Sequence, residues 1–301
     1  MAGLSIVVVH ALERNPWGTF AVFMTIPIAV VLGLWEKVFG SSKIATYVGV
    51  AAIAASVFVG PYLQGTMLGD WLTLHEKTIA FALPAYAFFA SALPVWLLLT
   101  PRGYLSSFMK IGVFGALVVG VVFINPEIRF PALTQFVAGG GPVLSGPVWP
   151  FISITIACGA ISGFHAFIGS GTTPKLIDKW SDILPVAFGG MLAECLVGIM
   201  ALIAAIALHP ADYFAINAAP AAFKALGMTV VDLPTLSDQI GLDLYGRTGG
   251  AVTLAVGMTT IFTKIPWFSH LAGYFFQFVV MFEAVFILTA VDSGTRVARY
   301  L

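Results

Sequence analysis

The sequence predicts an all-α fold, a polytopic bundle of transmembrane helices, from three observations. Charged residues make up 9% of the 301-residue chain and hydrophobic residues 59%, whereas about 25% of a typical soluble domain is charged. The apolar stretches are long and continuous, as helices crossing a bilayer of about 30 Å require, and they lack the alternation of barrel strands. Fourteen basic residues balance fourteen acidic ones, so the chain has no basic excess with which to bind nucleic acid.

Eight apolar stretches are candidates to span the bilayer as one partial transmembrane domain. Seven are long enough to cross it, at residues 17–35, 44–63, 78–99, 108–124, 148–168, 184–208 and 268–290. The eighth, residues 249–263, is too short to cross comfortably, because a span needs about 20 helical residues. We expect this stretch to be re-entrant, and the alternative that it crosses stays open.

The basic residues between the stretches predict how the chain is oriented. Three connections carry two basic residues each: Lys37 with Lys43, Arg102 with Lys110, and Lys175 with Lys179. Each connection that lies between two of these carries one basic residue. Because basic loops stay in the cytoplasm, the three doubly basic connections are predicted to face it. If residues 249–263 do not cross, Arg296 and Arg299 face the cytoplasm as well.

The densest polar cluster is residues 158–175, CGAISGFHAFIGSGTTPK. Its glycines and proline disfavour a continuous helix, and we expect helical hydrogen bonding to stop between Gly169 and Pro174. A helix that breaks at membrane depth exposes backbone groups, which bind substrates in many secondary transporters. The polar side chains around the break are therefore candidates for substrate binding: Ser162, His165, Ser170, Thr172 and Thr173.

Arg247 is a further candidate for substrate binding. It lies in the sequence GRTGG at residues 246–250, at the mouth of the doubtful eighth stretch, where its guanidinium would meet an anionic substrate. The alternative is an arginine at the membrane interface, whose apolar stem lies along the bilayer while its charge reaches water.

Glu194 is a candidate for proton coupling, because an ionisable group at membrane depth costs about 2.5–3.5 kcal/mol unless it is paired or hydrated. It lies in the middle of residues 184–208, and Gly190 and Gly198 stand one helical turn to either side. Small residues allow a second helix to approach, so we expect Glu194 to point into the bundle. The alternative is a structural, hydrogen-bonded glutamate.

Three more residues are candidates for proton coupling. Glu283 lies among apolar residues of the stretch 268–290, and we expect its side chain to point into the bundle with a polar partner. Asp292 follows, with Arg296 four residues later, which is the spacing of a helical side-chain pair. His165 titrates near neutral pH. For each of the three, the alternative is a purely structural tie between helices.

The sequence lacks the motifs of several other chemistries. The pattern GxxxxGK[ST] is absent, so ATP is not expected to supply energy. HExxH is absent and the five histidines do not cluster at ligand spacing, so no metal or other cofactor is predicted. An enzyme within the membrane needs a nucleophile with its base, or a metal site, and neither can be assembled. We therefore predict that the protein is not an enzyme.

Five long segments carry a resemblance to a known family. They are residues 15–33, 146–175, 209–220, 246–258 and 281–299, the last reading MFEAVFILTAVDSGTRVAR. Together they resemble the carbon starvation protein A (CstA) family, in the family's own order and over nearly the whole chain. The resemblance implies a multi-pass secondary transporter of the bacterial or archaeal inner (plasma) membrane. It also implies an APC-type core with the inverted repeats of LeuT.

The resemblance further implies that this chain is truncated at both ends, since family members are longer on either side. Leu4–Leu12, which is apolar but only nine residues long, then corresponds to the tail of a helix. We expect that segment to be helical and to have no partner covering it.

The family is linked to peptide uptake in the carbon-starvation response, and some members to proton-coupled pyruvate uptake. We therefore expect a secondary active transporter, a symporter for peptides or small carboxylates such as pyruvate. Its partners are the substrate, the coupling cation and the lipid bilayer. The cation is expected to be a proton, with sodium as the alternative. The alternative function is a membrane-embedded sensor or structural subunit without transport activity.

Overall fold

The computed structural model describes residues 2–40, 43–63, 65–161, 163–171, 173–175 and 177–299, and all regular structure in these ranges is helical. Helical segments long and apolar enough to cross a membrane occur five times in this part of the chain: Pro16–Phe39, Lys43–Leu63, Leu99–Ile124, Trp180–Ile206 and Ala272–Ala298. The predicted class, an all-α polytopic membrane protein, is confirmed.

The residues that the structure describes up to 124 form six α-helices. They are α1 (Ala2–Leu12), α2 (Pro16–Phe39), α3 (Lys43–Val59), α4 (Met67–Leu72), α5 (Glu76–Ala92) and α6 (Leu99–Ile124). A 3₁₀ turn, Gly60–Leu63, follows α3. The predicted stretch 78–99 is helical only to Ala92, and the chain turns before α6 begins.

The described residues after 124 add eight α-helices. They are α7 (Val148–Ile161), α8 (Gly163–Gly171), α9 (Ile183–Ile206), α10 (Pro210–Asn217), α11 (Pro220–Ala225), α12 (Leu233–Ile240), α13 (Ala251–Thr263) and α14 (Ala272–Arg299). Helix α13 has 13 residues, which span about 20 Å at 1.5 Å each, less than the bilayer core. Whether it crosses the membrane stays a prediction.

Helix α14 lies at the centre of the bundle and contacts α1, α2, α5, α6 and α13. Phe276, Val280 and Met281 on it are fully buried. Phe282 packs edge-on against Phe114 of α6, with ring centroids 5.2 Å apart. A helix buried on most of its faces has no water for a polar side chain, so each polar residue on α14 needs a partner on another helix.

Helix α1 is covered by the bundle, and the expectation of an uncovered N-terminal segment is wrong. Leu4–Leu12 is helical as predicted, but Val8 and Ala11 are at most 1% exposed. Helix α1 packs against α14, α5 and α13. Its small, branched side chains allow close approach, and at Gly249 an added Cβ would lie 2.9 Å from Val7.

A pair of buried amides joins the break between α1 and α2 to the second turn of α14. Asn15 Nδ2 donates to Gln277 Oε1 at 2.9 Å, and Gln277 Nε2 donates back to Asn15 Oδ1 at 3.0 Å. Asn15 Oδ1 also accepts from the backbone N–H of Gly18 at 2.9 Å and so caps α2. These bonds hold α1, α2 and α14 together at one point.

The predicted break in the polar cluster is confirmed. Helix α8 ends at Gly171, Thr173–Lys175 is a 3₁₀ turn, and residues 177–179 are irregular. Proline at 174 cannot donate the backbone bond that an α-helix needs. Gly171 lies against α14, because an added Cβ there would be 3.3 Å from Val297. The break therefore places the end of α8 beside the end of α14.

Candidate functional site

A buried charged cluster lies where α5, α6 and α14 meet. Arg102 Nη1 donates to Asp292 Oδ2 at 3.2 Å, and both side chains are 2% exposed. The Tyr86 hydroxyl donates to the same Asp292 oxygen at 2.7 Å and accepts from Arg102. An ion pair removed from water is costly and needs such additional hydrogen bonds. Its position among apolar helices therefore indicates a functional site.

Arg296 lies one helical turn beyond Asp292 and points at the end of α5. Its Nη2 donates to the carbonyl of Ala90 at 3.1 Å and to that of Leu93 at 2.6 Å. A cation at this position satisfies the last carbonyls of a helix and interacts favourably with its dipole. The predicted spacing thus brings Asp292 and Arg296 to one region, but the described residues show no ion pair between them.

The cluster has more positive than negative charge among the described residues. Two guanidinium groups, those of Arg102 and Arg296, meet the single carboxylate of Asp292. Within the described ranges, Arg102 Nε and Nη2, Asp292 Oδ1 and Arg296 Nε are buried without a hydrogen-bond partner. Buried polar atoms are seldom left unpaired, so this part of the bundle is suited to receive a further polar group.

A cavity of about 420 Å³ adjoins the cluster, between the first turns of α6, the end of α8 and the end of α14. Val95, Leu99 and Gly103 form apolar parts of its wall. Its polar lining is Thr100, Tyr104, Lys175, Thr289, Ser293 and Arg296. A mainly apolar cavity with a few convergent polar groups is the usual form of a small-molecule site.

A second contact between ionisable residues lies farther along the same two helices. Glu283 of α14 is partly buried and has Lys110 of α6 as its charged neighbour. Lys110 Nζ lies 4.9 Å from the centroid of the Phe286 ring. Glu283 is nine residues from Asp292, or about 13 Å along the helix. The two carboxylates are therefore separate sites on one helix.

His165 and Glu194 form a pair between α8 and α9. The atoms His165 Nε2 and Glu194 Oε1 are 3.6 Å apart, and the side chains are 52% and 62% exposed. The expectation that Glu194 points into the bundle is wrong, although the expected polar partner is present. A Cβ added at Gly190 or at Gly198 would have no described atom within 4 Å. The reason is that α9 packs against the bundle mainly near its end, at Ala204.

Two more predicted residues of the polar cluster, Ser170 and Thr173, fall within the described ranges. Ser170 donates to the carbonyl of Ala166 at 2.8 Å. His165 and Thr173 line a second cavity, of about 660 Å³, which also includes Asp178 and Lys179. Ser162 and Thr172 lie outside the described residues.

Arg247 lies away from both cavities, at the end of α1. Its Nε donates to the carbonyl of Asp243 at 2.5 Å and its Nη1 to that of His10 at 2.8 Å. Burial lowers the pKa of this guanidinium from its usual value, and the negative charges of Glu13 and Asp243 oppose that shift. Two nitrogen atoms of the Arg247 guanidinium therefore already donate hydrogen bonds within the fold. Its predicted contact with an anionic substrate stays a prediction.

The chain matches a known family along its whole length. The family model described as "Carbon starvation protein CstA" covers residues 1–301. The chain belongs to the CstA family. It is 74% identical over 301 residues to the "Peptide transporter CstA" of Bacillus subtilis (strain 168), covering 100% of this chain and 50% of that protein.

Two further relatives extend the comparison. The "Peptide transporter CstA" of Helicobacter pylori (strain ATCC 700392 / 26695) is 41% identical, over 99% of this chain and 46% of that protein. The "Pyruvate/proton symporter BtsT" of Escherichia coli (strain K12) is 39% identical, over 100% of this chain and 47% of that protein. The chain therefore spans about half the length of the curated relatives it matches. No solved structure matches it, and the LeuT-like inverted repeat stays a prediction.

Sequence reasoning did not identify three residues of this CstA-family chain as site residues. Arg102 and Lys110 counted only as basic residues of a connection, and Tyr86 only as part of an apolar stretch. Arg102 and Tyr86 meet Asp292 from 190 and 206 residues away. The sequence did contain a signal for two of these residues. Arg102 and Lys110 lie within or beside apolar residues, and these residues continue as one helix, α6.

Proposed function

We propose that this protein serves proton-coupled uptake of peptides or small carboxylates such as pyruvate across the inner membrane, in the carbon-starvation response. The names of the relatives support this proposal, since one is a peptide transporter and another a pyruvate/proton symporter. The single structural observation that carries it is the buried cluster of Arg102, Asp292 and Tyr86 beside a cavity.

Asp292 is the residue we propose for the coupling proton. When ionised, it compensates the charge of Arg102 at 3.2 Å. When protonated, it is neutral, and the positive charge of Arg102 is left without a counter-ion in an apolar environment. An anionic substrate then restores the balance of charge, so the arrival of the proton favours the arrival of the substrate. A coupling of this kind needs only that both groups are desolvated together.

The other predicted residues have supporting roles in the proposal. Glu283, with Lys110 as its charged neighbour, is a second candidate for proton transfer. His165 and Glu194 form a pair between α8 and α9 that takes part in proton exchange. Ser170 near the end of α8 and Thr173 in the turn after it contribute to the path of the substrate.

Uptake into proteoliposomes tests the proposed function. The purified protein is reconstituted, a pH gradient that is acidic outside is imposed, and accumulation of labelled pyruvate or of a labelled dipeptide is followed. We expect accumulation that a protonophore abolishes. Replacing the pH gradient by a sodium gradient distinguishes the two cations. Failure to accumulate either substrate under either gradient would contradict transport and favour the sensor or structural subunit.

A further inference from the structure

The cavity between α6, α8 and α14 has a cation in its wall, Arg296, that forms no ion pair within the described residues. Arg296 is 5% exposed. Its Nη2 is used by the carbonyls of Ala90 and Leu93, while its Nε is buried without a hydrogen-bond partner. Asp292 pairs directly with Arg102 and acts on Arg296 only at longer range. Because two buried guanidinium groups share this carboxylate, the arrangement favours the binding of an anion.

The rest of the lining fits a small carboxylate better than a large or multiply charged anion. Lys175 is a second cation in the wall, and Thr100, Thr289 and Ser293 bring hydroxyl groups to it. Val95 and Leu99 are apolar and suit a short carbon chain. The planar fork of an arginine matches the two oxygens of a carboxylate.

From this arrangement we propose that the cavity is a carboxylate-binding site, in which Arg296 pairs with the carboxylate of the transported substrate. The inference rests on the proposed function for the identity of the anion. Because Lys175 belongs to a connection that the positive-inside rule predicts to be cytoplasmic, the cavity is expected to release the substrate on the cytoplasmic side.

One glycine of the wall allows the cavity to be filled without removing a charge. Gly103 lines it, and an added Cβ there meets no described atom within 4 Å. Gly103→Leu is therefore expected to fold and to occupy the space of the ligand. Gly112, on the same helix α6, is equally open and does not line this cavity. Gly112→Leu is the matched control.

Calorimetric titration of the purified protein in lipid nanodiscs tests the site. The probes are pyruvate, its neutral analogue pyruvamide, the dipeptide Ala-Ala and the C-terminal amide of that dipeptide. We expect at least one of the two carboxylates to bind and neither amide to bind. Which carboxylate binds distinguishes a free monocarboxylate from a peptide C-terminus. Binding of the amides as tightly as the acids would overturn the proposal.

The variants decide whether the binding is in this cavity. Arg296→Gln is expected to weaken carboxylate binding by more than about tenfold, since it removes one partner of a desolvated charge pair. Arg296→Lys keeps the charge and is expected to recover part of the affinity. Gly103→Leu is expected to abolish binding, and Gly112→Leu to leave it unchanged. Thermal unfolding of each variant shows that it is folded.

The site and the proposed function fail in different ways. If Arg296→Gln and Gly103→Leu bind the carboxylate as the unaltered protein does, the site is elsewhere, whatever transport shows. If these variants lose binding while the unaltered protein accumulates no substrate in proteoliposomes, the carboxylate-binding site is supported and the proposed uptake function is contradicted.

Discussion

The ion pair between Arg102 and Asp292 is the feature on which the residue-scale account depends. Both side chains are 2% exposed, and Tyr86 adds a hydrogen bond to the same carboxylate oxygen. In such a position the cost of desolvation and the attraction between the charges nearly cancel, so the pair need not stabilise the fold. Removing one partner, however, leaves the other as an uncompensated buried charge.

We therefore expect Asp292→Asn to lower the free energy of unfolding by about 3–5 kcal/mol. Arg102→Gln combined with Asp292→Asn removes both charges and is expected to recover much of that loss. Denaturant unfolding of the detergent-solubilised protein measures both effects. Asp238→Asn, which removes an exposed carboxylate of α12, is the control and should change the free energy by less than about 1 kcal/mol. Equal stability of the single and double variants would show that the two charges do not interact.

At the scale of elements, α14 is held to α1 and α2 by the amide pair of Asn15 and Gln277. Gly18 is required beside it, because an added Cβ would lie 2.5 Å from Asn15 Nδ2 and 2.9 Å from Gln277 Oε1. The side chains of the pair are buried and cannot turn to water for other partners. The start of α2 and the second turn of α14 can therefore approach only if residue 18 has no side chain.

Gly18→Ala is expected to destabilise the protein by about 1–3 kcal/mol, the cost of leaving buried amide groups unsatisfied. Gly115→Ala in α6 is the matched control, because an added Cβ there meets no described atom within 4 Å. That control should be neutral or stabilising by up to about 1 kcal/mol, since alanine favours a helix over glycine. Denaturant unfolding compares the two, and equal stability of both variants would mean that the amide pair tolerates the added methyl.

The elements also show which parts of the site the sequence predicts. The end of α8 at Gly171 follows from local chemistry, because glycine and proline act on their own backbone. The partners of Asp292 cannot be predicted from the sequence around it, because they lie on α5 and α6, about 200 residues away in the chain. Gly190 and Gly198 indicated a helix contact at Glu194, but small residues only permit such a contact. The covering of α1 depends likewise on α5, α13 and α14, which no local pattern places beside it.

At the scale of the whole molecule, the carboxylates divide into buried and exposed groups. Glu283 and Asp292 lie on the central helix α14, whereas Glu194 is 62% exposed on α9. Transport against a gradient needs a proton site that is protected from water on one side at a time, and on α14 the packed helices supply this protection, with Asp292 2% exposed. The coupling step is therefore expected on α14 and not at the pair of His165 and Glu194.

We accordingly expect Glu283→Gln to reduce pH-driven uptake strongly and Glu194→Gln to leave most of it. Counterflow of labelled substrate is the control in each case, because it requires a folded carrier but no net movement of protons. Uptake in proteoliposomes, measured beside counterflow, gives the comparison. If Glu194→Gln alone abolished accumulation while its counterflow persisted, the coupling site would be at α9.

The central claim is that Asp292 carries the coupling proton, and one measurement tests it most directly. Labelled substrate is supplied to proteoliposomes that contain the Asp292→Asn variant, and accumulation under an imposed pH gradient is compared with counterflow. Asparagine resembles the protonated carboxyl, so we predict that accumulation is lost while counterflow persists. Accumulation equal to that of the unaltered protein would contradict the claim, as would the loss of both activities in a variant that thermal unfolding shows to be folded.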